Sequence, residues 1–402
     1  MNAELNAKLD VLLKSIQDSL SDIKKNGRKA RELKRVVQSS RAIVTEVLEQ
    51  QLGGVSLEDQ INISEIPDED WLITVQHIID TINDPFVPIN SYETYFLQLF
   101  NYLTTTSRET LLDNMMFSLN KMKEVYPENY NNLVGYFSRF PLWGTFDPEN
   151  NDLTTFELRT KVLKQHSYDF LWLYRKAEDY ISKRTLAAIL MNWADLQCDA
   201  LTVVKSIFRD YWEPDIFPDN KDDILVDVGA FIGDSISSYI EVYGNGYKKI
   251  YAYEISNESY DQLCANIISQ GWHDVEARRK GAGPRKSKMY VKDSASDLSA
   301  NSLEKSGDSE HEVEIVRIED DIPETPTFIK MDIEGSEQGA LLGCEKIIKN
   351  NHPKLAICIY HGYEDIWKIP SMIYEMNPDY KFHIRHNGGN LVPTEFVLLC
   401  KP

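Results

Sequence analysis

Two neighbouring stretches, ILVDVGAFIGDS from Ile224 to Ser235 and KIYAYE from Lys249 to Glu254, restrict the fold more than any other part of this chain. Ile224, Leu225, Val226 and Val228, bounded by charged residues, form the pattern of a strand covered on both faces. Gly229 lets the chain turn sharply after it, and Gly233 lets backbone come close to a ligand or to a neighbouring strand. The turn then opens a helix near Asp234, whose first amides are unpaired and carry partial positive charge. A second strand follows, and Glu254 at its carboxyl end is placed to accept hydrogen bonds from both hydroxyls of a ribose. Strand, glycine turn, helix, strand and acid make half of a nucleoside-cofactor site.

Spacing selects among cofactors. The dinucleotide fingerprint is G-x-G-x-x-G, whereas here Asp227 takes the place of its first glycine and the pattern reads D-x-G-x-x-x-G-D. A carboxylate at Asp227 repels a pyrophosphate and suits the amino group of a methionine moiety. The pattern therefore favours S-adenosylmethionine over NAD, the alternative being a strand–helix turn with no ligand.

Charge and cysteine usage narrow the rest. A formal net charge of −20 over 402 residues opposes general nucleic-acid binding, which depends on neutralising phosphates with Lys and Arg, and opposes docking to an anionic membrane. The five cysteines, Cys198, Cys264, Cys344, Cys358 and Cys400, are scattered without metal-type spacing. They read as buried free thiols in a reducing cytoplasm. No apolar stretch approaches the roughly 20 residues of a membrane span, and the start MNAELNAKLD lacks the regions of a secretory signal. The expectation is a soluble cytoplasmic protein.

Along the chain, residues 1–52 are helical in character, with apolar residues in alternating three- and four-residue steps from Leu5 through Val37, Val44 and Val47. Such a seam, interrupted by Ser19, Asn26 and Ser40, predicts a coiled-coil arm and a homo-oligomer built through it. The alternatives are a helical hairpin at Asn26-Gly27 and a loosely packed helical extension. The arm holds ten Lys and Arg against seven Asp and Glu, so the acidic excess lies beyond it. Gly53-Gly54 marks a boundary. Residues 53–218 predict an α-helical domain, with an aromatic stripe from Tyr92 to Leu103, a loop from Tyr136 to Pro148, and helices over Phe156–Tyr180 and Ser182–Asp210, the second capped by Ser182. Residues 219–402 predict alternating strands and helices, hence a largely parallel sheet covered on both faces. TFIKM (327–331) and LAICIY (355–360) are its further buried strands. A helix runs from Ser336 to Lys349, Pro370 breaks or opens another, and a hairpin-like pair closes the chain around Asn387–Asn390.

Ligands of open α/β sheets bind beyond the carboxyl ends of the strands, where strand order reverses. Four such ends carry polar groups: Gly229–Gly233, Glu254, Asp332–Glu334 and His361. Asp332 and Glu334 either face the cofactor and the acceptor or cap the helix that follows. His361, at the end of a buried strand, either acts as a general base for a hydroxyl acceptor or is structural. Glu319-Asp320-Asp321 reads as a solvated loop. No ligand cluster in the sequence demands a metal.

The segments VDVGAFIGDS (226–235), YAYE (251–254), FIKMDIEGSE (328–337) and IYHGYEDIWKIP (359–370) resemble the FkbM family of S-adenosylmethionine-dependent methyltransferases. The likeness covers 224–402, and the helical stretch Gln165–Pro218 is similar to the lead-in of many members. It implies a Rossmann-like class I methyltransferase sheet with helices on both faces, preceded by a mainly α-helical region. It also implies methyl transfer from S-adenosylmethionine to a small-molecule or glycan acceptor, typically at a sugar hydroxyl. Carried onto this chain, Asp227, Gly229, Ala230, Gly233 and Asp234 form the cofactor turn, with Glu254 on the ribose. Asp332 lies by the reacting centre, with Glu334 and His361 on the acceptor side. Phe231 stands where the family usually has Asn. An amine acceptor, a catalytically silent cofactor-binding scaffold and an NAD-linked sugar oxidoreductase are the competing readings, the last opposed by the missing third glycine spacing.

Overall fold

A computed structural model describes Val11, Lys14 and residues 30–51, 63–292, 302–304 and 312–402. The chain divides into two compact units, one of residues 1–131, 145–175 and 190–197, the other of 132–144, 176–189 and 198–402.

The first unit is helical. Its helices Ala30–Gln51 and Asp68–Asn83 share a core in which Val37, Val44, Val47 and Leu48 are buried with Trp71, Val75, Ile78 and Ile79. From Val37 onward the apolar seam expected to drive self-association is buried inside the chain; its members from Leu5 to Ile23 lie outside the described residues. Ser40, the polar break in the seam, is fully buried, accepts a hydrogen bond from the Trp71 indole at 2.7 Å and donates to the Val37 carbonyl at 2.8 Å. It pins the two helices together where a hydroxyl would otherwise be a buried cost. Asp70, Glu69 and Asp68 fill the first turn of the second helix, where negative charge meets the positive end of its dipole.

The second unit is built on a seven-stranded sheet. The strands in chain order are β1 (Ile224–Val228), β2 (Lys249–Tyr253), β3 (Val275–Arg278), β4 (Lys280–Ala282), β5 (Ser287–Lys292), β6 (Ser302–Glu304), β7 (Glu312–Val316), β8 (Phe328–Met331), β9 (Lys354–Cys358), β10 (Lys381–His386) and β11 (Phe396–Lys401). The large sheet runs β10-β11-β9-β8-β1-β2-β3. β3, β2, β1, β8 and β9 are parallel, and β11 lies antiparallel between β9 and β10. Every residue of β1 and β8 is buried, as expected of central parallel strands covered on both faces. From β1 the chain winds outward to β2 and β3, then returns to the other side as β8. Strand order therefore reverses between β1 and β8.

Several expectations need correction. A second, four-stranded sheet, β4-β7-β5-β6, fills a region where the sequence suggests a loop or short hairpin around Lys288–Lys292 and a short strand over Glu312–Ile318; β5 does pair antiparallel with β6 and β7, while β4 and β6 are three residues each and give little signal. The stretch Tyr136–Pro148 begins inside the helix Pro127–Arg139 before its two short 3-10 turns. The long helices over 155–213 are Thr154–Gln165, Ser167–Lys176, Tyr180–Asp195 and Cys198–Thr202. Asp179, not Ser182, serves the Tyr180 helix: its carboxylate accepts from the Ser182 amide and hydroxyl, both at 2.7 Å. The helix from Ser336 is two helices, Glu337–Leu342 and Glu345–Asn351, parted at Gly343, where a Cβ would lie 2.3 Å from the Gly283 carbonyl oxygen. Pro370 lies within the helix Asp365–Met376. Asp321 is no solvated loop residue: it pairs with Arg278 and Lys280, both at 2.6 Å, and accepts from the Tyr253 hydroxyl. Among the described residues no helix is long and apolar enough to cross a membrane.

Candidate functional site

The carboxyl ends of β1, β2, β8 and β9 meet at one cavity of about 540 Å³. Gly229 ends β1 at φ +81°, and a Cβ there would lie 1.8 Å from the Asp332 carbonyl oxygen. The glycine is required by this close approach of β1 to the end of β8. The amides of Gly229 and Ala230 both donate to the Tyr253 carbonyl, at 3.0 and 2.9 Å, which ties the turn to β2. Gly233, at φ +89°, makes room for something other than a ligand: a Cβ there would meet the Trp272 ring at 2.8 Å and Leu263 at 3.0 Å.

Glu254 follows β2 and is 7% exposed. One carboxylate oxygen accepts from the Phe231 amide at 2.9 Å, the other from the Ser256 amide at 2.7 Å. Burial raises its pKa to about 6, the amide hydrogen bonds opposing. Each oxygen keeps a lone pair for a further donor.

Asp227 is placed differently from expectation. It is fully buried and off the cavity wall. It accepts from the Ser235 hydroxyl at 2.5 Å and pairs with the Lys330 ammonium at 3.0 Å, while Lys330 also donates to the Gly229 carbonyl at 2.7 Å. Its carboxylate braces the glycine turn from below through a cation on β8. Gly229, Asp234, Glu254, Asp332, Glu334 and His361 line the cavity; Asp227, Ala230 and Gly233 do not.

Asp332, Glu334 and His361 come together. His361 is buried to 1% of its side chain, with Nε2 3.3 Å from Asp332 and 3.7 Å from Glu334, and Nδ1 2.8 Å from Glu337. Asp332 and Glu334 thus both lie beside the same imidazole. The helix that follows, Glu337–Leu342, has no side-chain cap at its N-terminus; its first residue, Glu337, reaches back to accept from the Ile333 amide at 2.8 Å. The Tyr211 hydroxyl donates to the other oxygen of Asp332 at 2.6 Å. Burial alone would lower the His361 pKa, but Glu337, Asp332 and Glu334 hold it well above the usual histidine range. Asp365, from the same segment, braces the turn after His361 by accepting from the Gly362 amide at 2.7 Å.

Sequence reasoning missed Tyr211 and Glu395, and gave no structural ground for the aromatic wall of Tyr136, Phe140 and Trp143. All five residues line the cavity, and the Trp143 indole donates to the Tyr360 carbonyl at 2.8 Å. Glu395 is raised to about 7, first by burial and then by the Asp332 and Asp210 carboxylates. One signal marks the site in the backbone. Of the nine described non-glycine residues at positive φ, four line this cavity: Tyr211, Phe231, Glu334 and Glu395. Strained backbone of this kind persists where the surroundings over-determine it, and it gathers at functional sites.

The parallel sheet with its antiparallel β11, the glycine turn at the switch point and the acid after β2 define the Rossmann-like class I fold of S-adenosylmethionine-dependent methyltransferases. Residues 227–385 match the family model described as Methyltransferase FkbM domain. No curated protein matches the chain. Among solved structures it is similar to the methyltransferase FkbM from Methylobacillus flagellatus KT, at 23% identity over 60% of this chain and 62% of that one, with a TM-score of 0.49. It is also similar to an rRNA methylase from Streptococcus thermophilus, at 15% identity over 52% and 94% of the two chains, TM-score 0.30. A third is the fibrillarin of Aeropyrum pernix with natively bound S-adenosyl-L-methionine, at 10% over 50% and 73%, TM-score 0.30. The chain thus spans about 62% of the length of the Methylobacillus protein.

Proposed function

We propose that this chain is an S-adenosylmethionine-dependent methyltransferase acting on a hydroxyl of a sugar, in a glycan, a polysaccharide precursor or a glycosylated product. The observation that carries the reading is the cavity at the β1/β8 switch point, walled by six carboxylates, Asp210, Asp234, Glu254, Asp332, Glu334 and Glu395, against Arg139, Lys280, Lys330 and His361. Such a wall suits a cationic sulfonium and opposes the pyrophosphate of NAD. When bound, S-adenosylmethionine supplies an electrophilic methyl carbon. Glu254 then accepts from the ribose hydroxyls, and the turn at Gly229 and Asp234 borders the rest of the cofactor. Tyr136, Phe140 and Trp143 offer ring faces to the apolar side of a sugar. Glu395, whose burial and neighbouring carboxylates raise it to about 7, takes the proton from the acceptor hydroxyl. Five cysteines without a disulfide among them support a cytoplasmic location.

An amine acceptor is the second reading, because the same carboxylate wall suits an ammonium group. Calorimetric titration of the full chain with S-adenosylmethionine, S-adenosylhomocysteine and NAD tests the cofactor. Saturable binding of the first two without NAD is expected, and NAD binding alone would overturn the reading. Labelled methyl transfer to hydroxyl-only and amine-bearing sugars separates the two acceptors.

A further inference from the structure

Asp332, Glu334 and His361 each direct one ligand atom into the cavity floor, and the three atoms lie within 4.8 Å of one another. Ligands that share a metal at about 2.1 Å sit roughly 3 Å apart when adjacent and roughly 4.2 Å apart when opposite. The imidazole to Asp332 and imidazole to Glu334 distances, 3.3 and 3.7 Å, fall in that interval.

The independent observation is the state of the ligand atoms. His361 Nε2 is buried and has no hydrogen-bond partner, and neither has the Asp332 oxygen that faces it. They stand close enough for charge attraction but are not aligned for a hydrogen bond. Two such orphaned atoms are costly unless something else occupies the space between them.

The supporting residues are arranged to match. Glu337, with no exposed side-chain surface, holds Nδ1 at 2.8 Å, which leaves Nε2 as the face turned to the cluster. Tyr211 holds the other Asp332 oxygen at 2.6 Å and leaves one oxygen free. Metal-ligating histidines nearly always give their second nitrogen to a carboxylate or carbonyl, and ligating carboxylates are themselves hydrogen-bonded.

We propose that Asp332, Glu334 and His361 form a site for a divalent cation of the Mn²⁺, Fe²⁺ or Zn²⁺ kind, with open positions facing the cavity. Two carboxylate oxygens and one imidazole nitrogen suit these ions better than Mg²⁺ or Ca²⁺, which prefer oxygen alone. Resting on the methyltransferase reading, the open positions take the acceptor hydroxyl oxygen and fix it beside the cofactor end of the cavity. Glu334 and His361 then act as ligands, in place of the cap and base roles their positions in the sequence allow.

The test is a Mn²⁺ titration of chelator-treated full-length protein, followed by electron paramagnetic resonance, with S-adenosylhomocysteine binding measured on the same samples by calorimetry. A single ion per chain is expected, with affinity lowered at least about tenfold in Glu334→Gln and Asp332→Asn. A loss of about 10- to 100-fold is expected in Glu337→Gln, which touches only the far nitrogen of His361. Retained S-adenosylhomocysteine binding by Glu334→Gln shows that the variant is folded. Absence of Mn²⁺ binding by protein that binds S-adenosylhomocysteine overturns the metal site alone. Binding that is equal in wild type and all three variants overturns it too. Metal binding without S-adenosylhomocysteine binding keeps the site and overturns the cofactor reading.

Discussion

Glu254 holds two amides of its own chain before it serves any ligand, and that double duty fixes how it should be tested. Truncation to Ala would release the Phe231 and Ser256 amides together with the ribose. Glu254→Gln keeps the shape and removes one acceptor and the charge. We expect S-adenosylmethionine affinity to fall roughly 10- to 100-fold by calorimetry, and thermal unfolding to show a lowered melting temperature, because one of the two amides loses its acceptor. The group also gives binding a pH dependence. Burial raises its pKa to about 6, and the ionised form accepts from ribose hydroxyls more strongly and at both oxygens, so affinity should weaken as pH drops through about 6. Folding runs the other way: a carboxyl raised above its unfolded value stabilises the ligand-free fold increasingly below about pH 6. A flat affinity profile from pH 5 to 8 would remove Glu254 from the ribose. Gly229 allows no substitution of any size, because at φ +81° a Cβ lies 1.8 Å from backbone at Asp332. Gly229→Ala should cost about 3 kcal/mol or more in a denaturant titration. The positions of Gly229, Glu254, Asp332 and His361 were legible because each closes a run of buried apolar residues. The engagement of Asp227 was not, since its partner Lys330 sits on the neighbouring strand β8 and no local pattern links them. Tyr211 and Glu395 lie in left-handed backbone outside any motif, so only the folded chain brings them to the cavity.

At the scale of elements, periodicity recovered what is buried and missed what is half-buried or stitched by distant contacts. The strands of the large sheet and the closing hairpin were readable from apolar runs and the Asn-Gly-Gly-Asn turn. The four-stranded sheet was readable only in part, at Lys288–Lys292 and Glu312–Ile318, because KGA and SLE carry few apolar residues and its core is small: Val291, Val313 and Ile315. The helix split at Gly343 answers to the Gly283 backbone far away in sequence. The same holds at the start of the Tyr180 helix. Asp179 accepts from Ser182 and also pairs with Arg385, at 2.8 Å, so one carboxylate ties this helix to β10. Burial alone would raise its pKa, but Arg385 and the two Ser182 donors outweigh it and hold the carboxyl at about 2. A depressed carboxyl lends stability that is complete above its unfolded value near 4 and is lost as pH falls through about 2. Asp179→Ala should therefore destabilise the protein by about 2 kcal/mol at neutral pH, read from a denaturant midpoint. The difference from wild type should shrink toward pH 2; a difference that persists there would mean that shape, not charge, holds this helix.

For the whole molecule, the deciding question is what the amino-terminal helix is for. Read as a sequence, its apolar seam offers a surface to a second copy of the chain, and in that case removing it would lower the mass and leave the remainder folded. The structure gives the seam another use, since Val37, Val44, Val47 and Leu48 complete the core around Trp71, Val75, Ile78 and Ile79. Each of those side chains is worth about 1.5–3 kcal/mol when fully buried, and the indole of Trp71 would lose its partner Ser40 as well. A protein domain holds only about 5–15 kcal/mol in reserve, so removing the helix should exceed what the helical unit can bear. Two truncations separate the uses. A chain starting at residue 30 keeps the whole described helix and should retain the wild-type melting temperature; any fall in mass on light scattering would then assign association to residues 1–29. A chain starting at residue 53 should lose helical signal, bind hydrophobic dye and aggregate. If that shorter chain instead stays folded and simply halves in mass, the seam serves a second chain, and its burial against Trp71 does not hold the unit together.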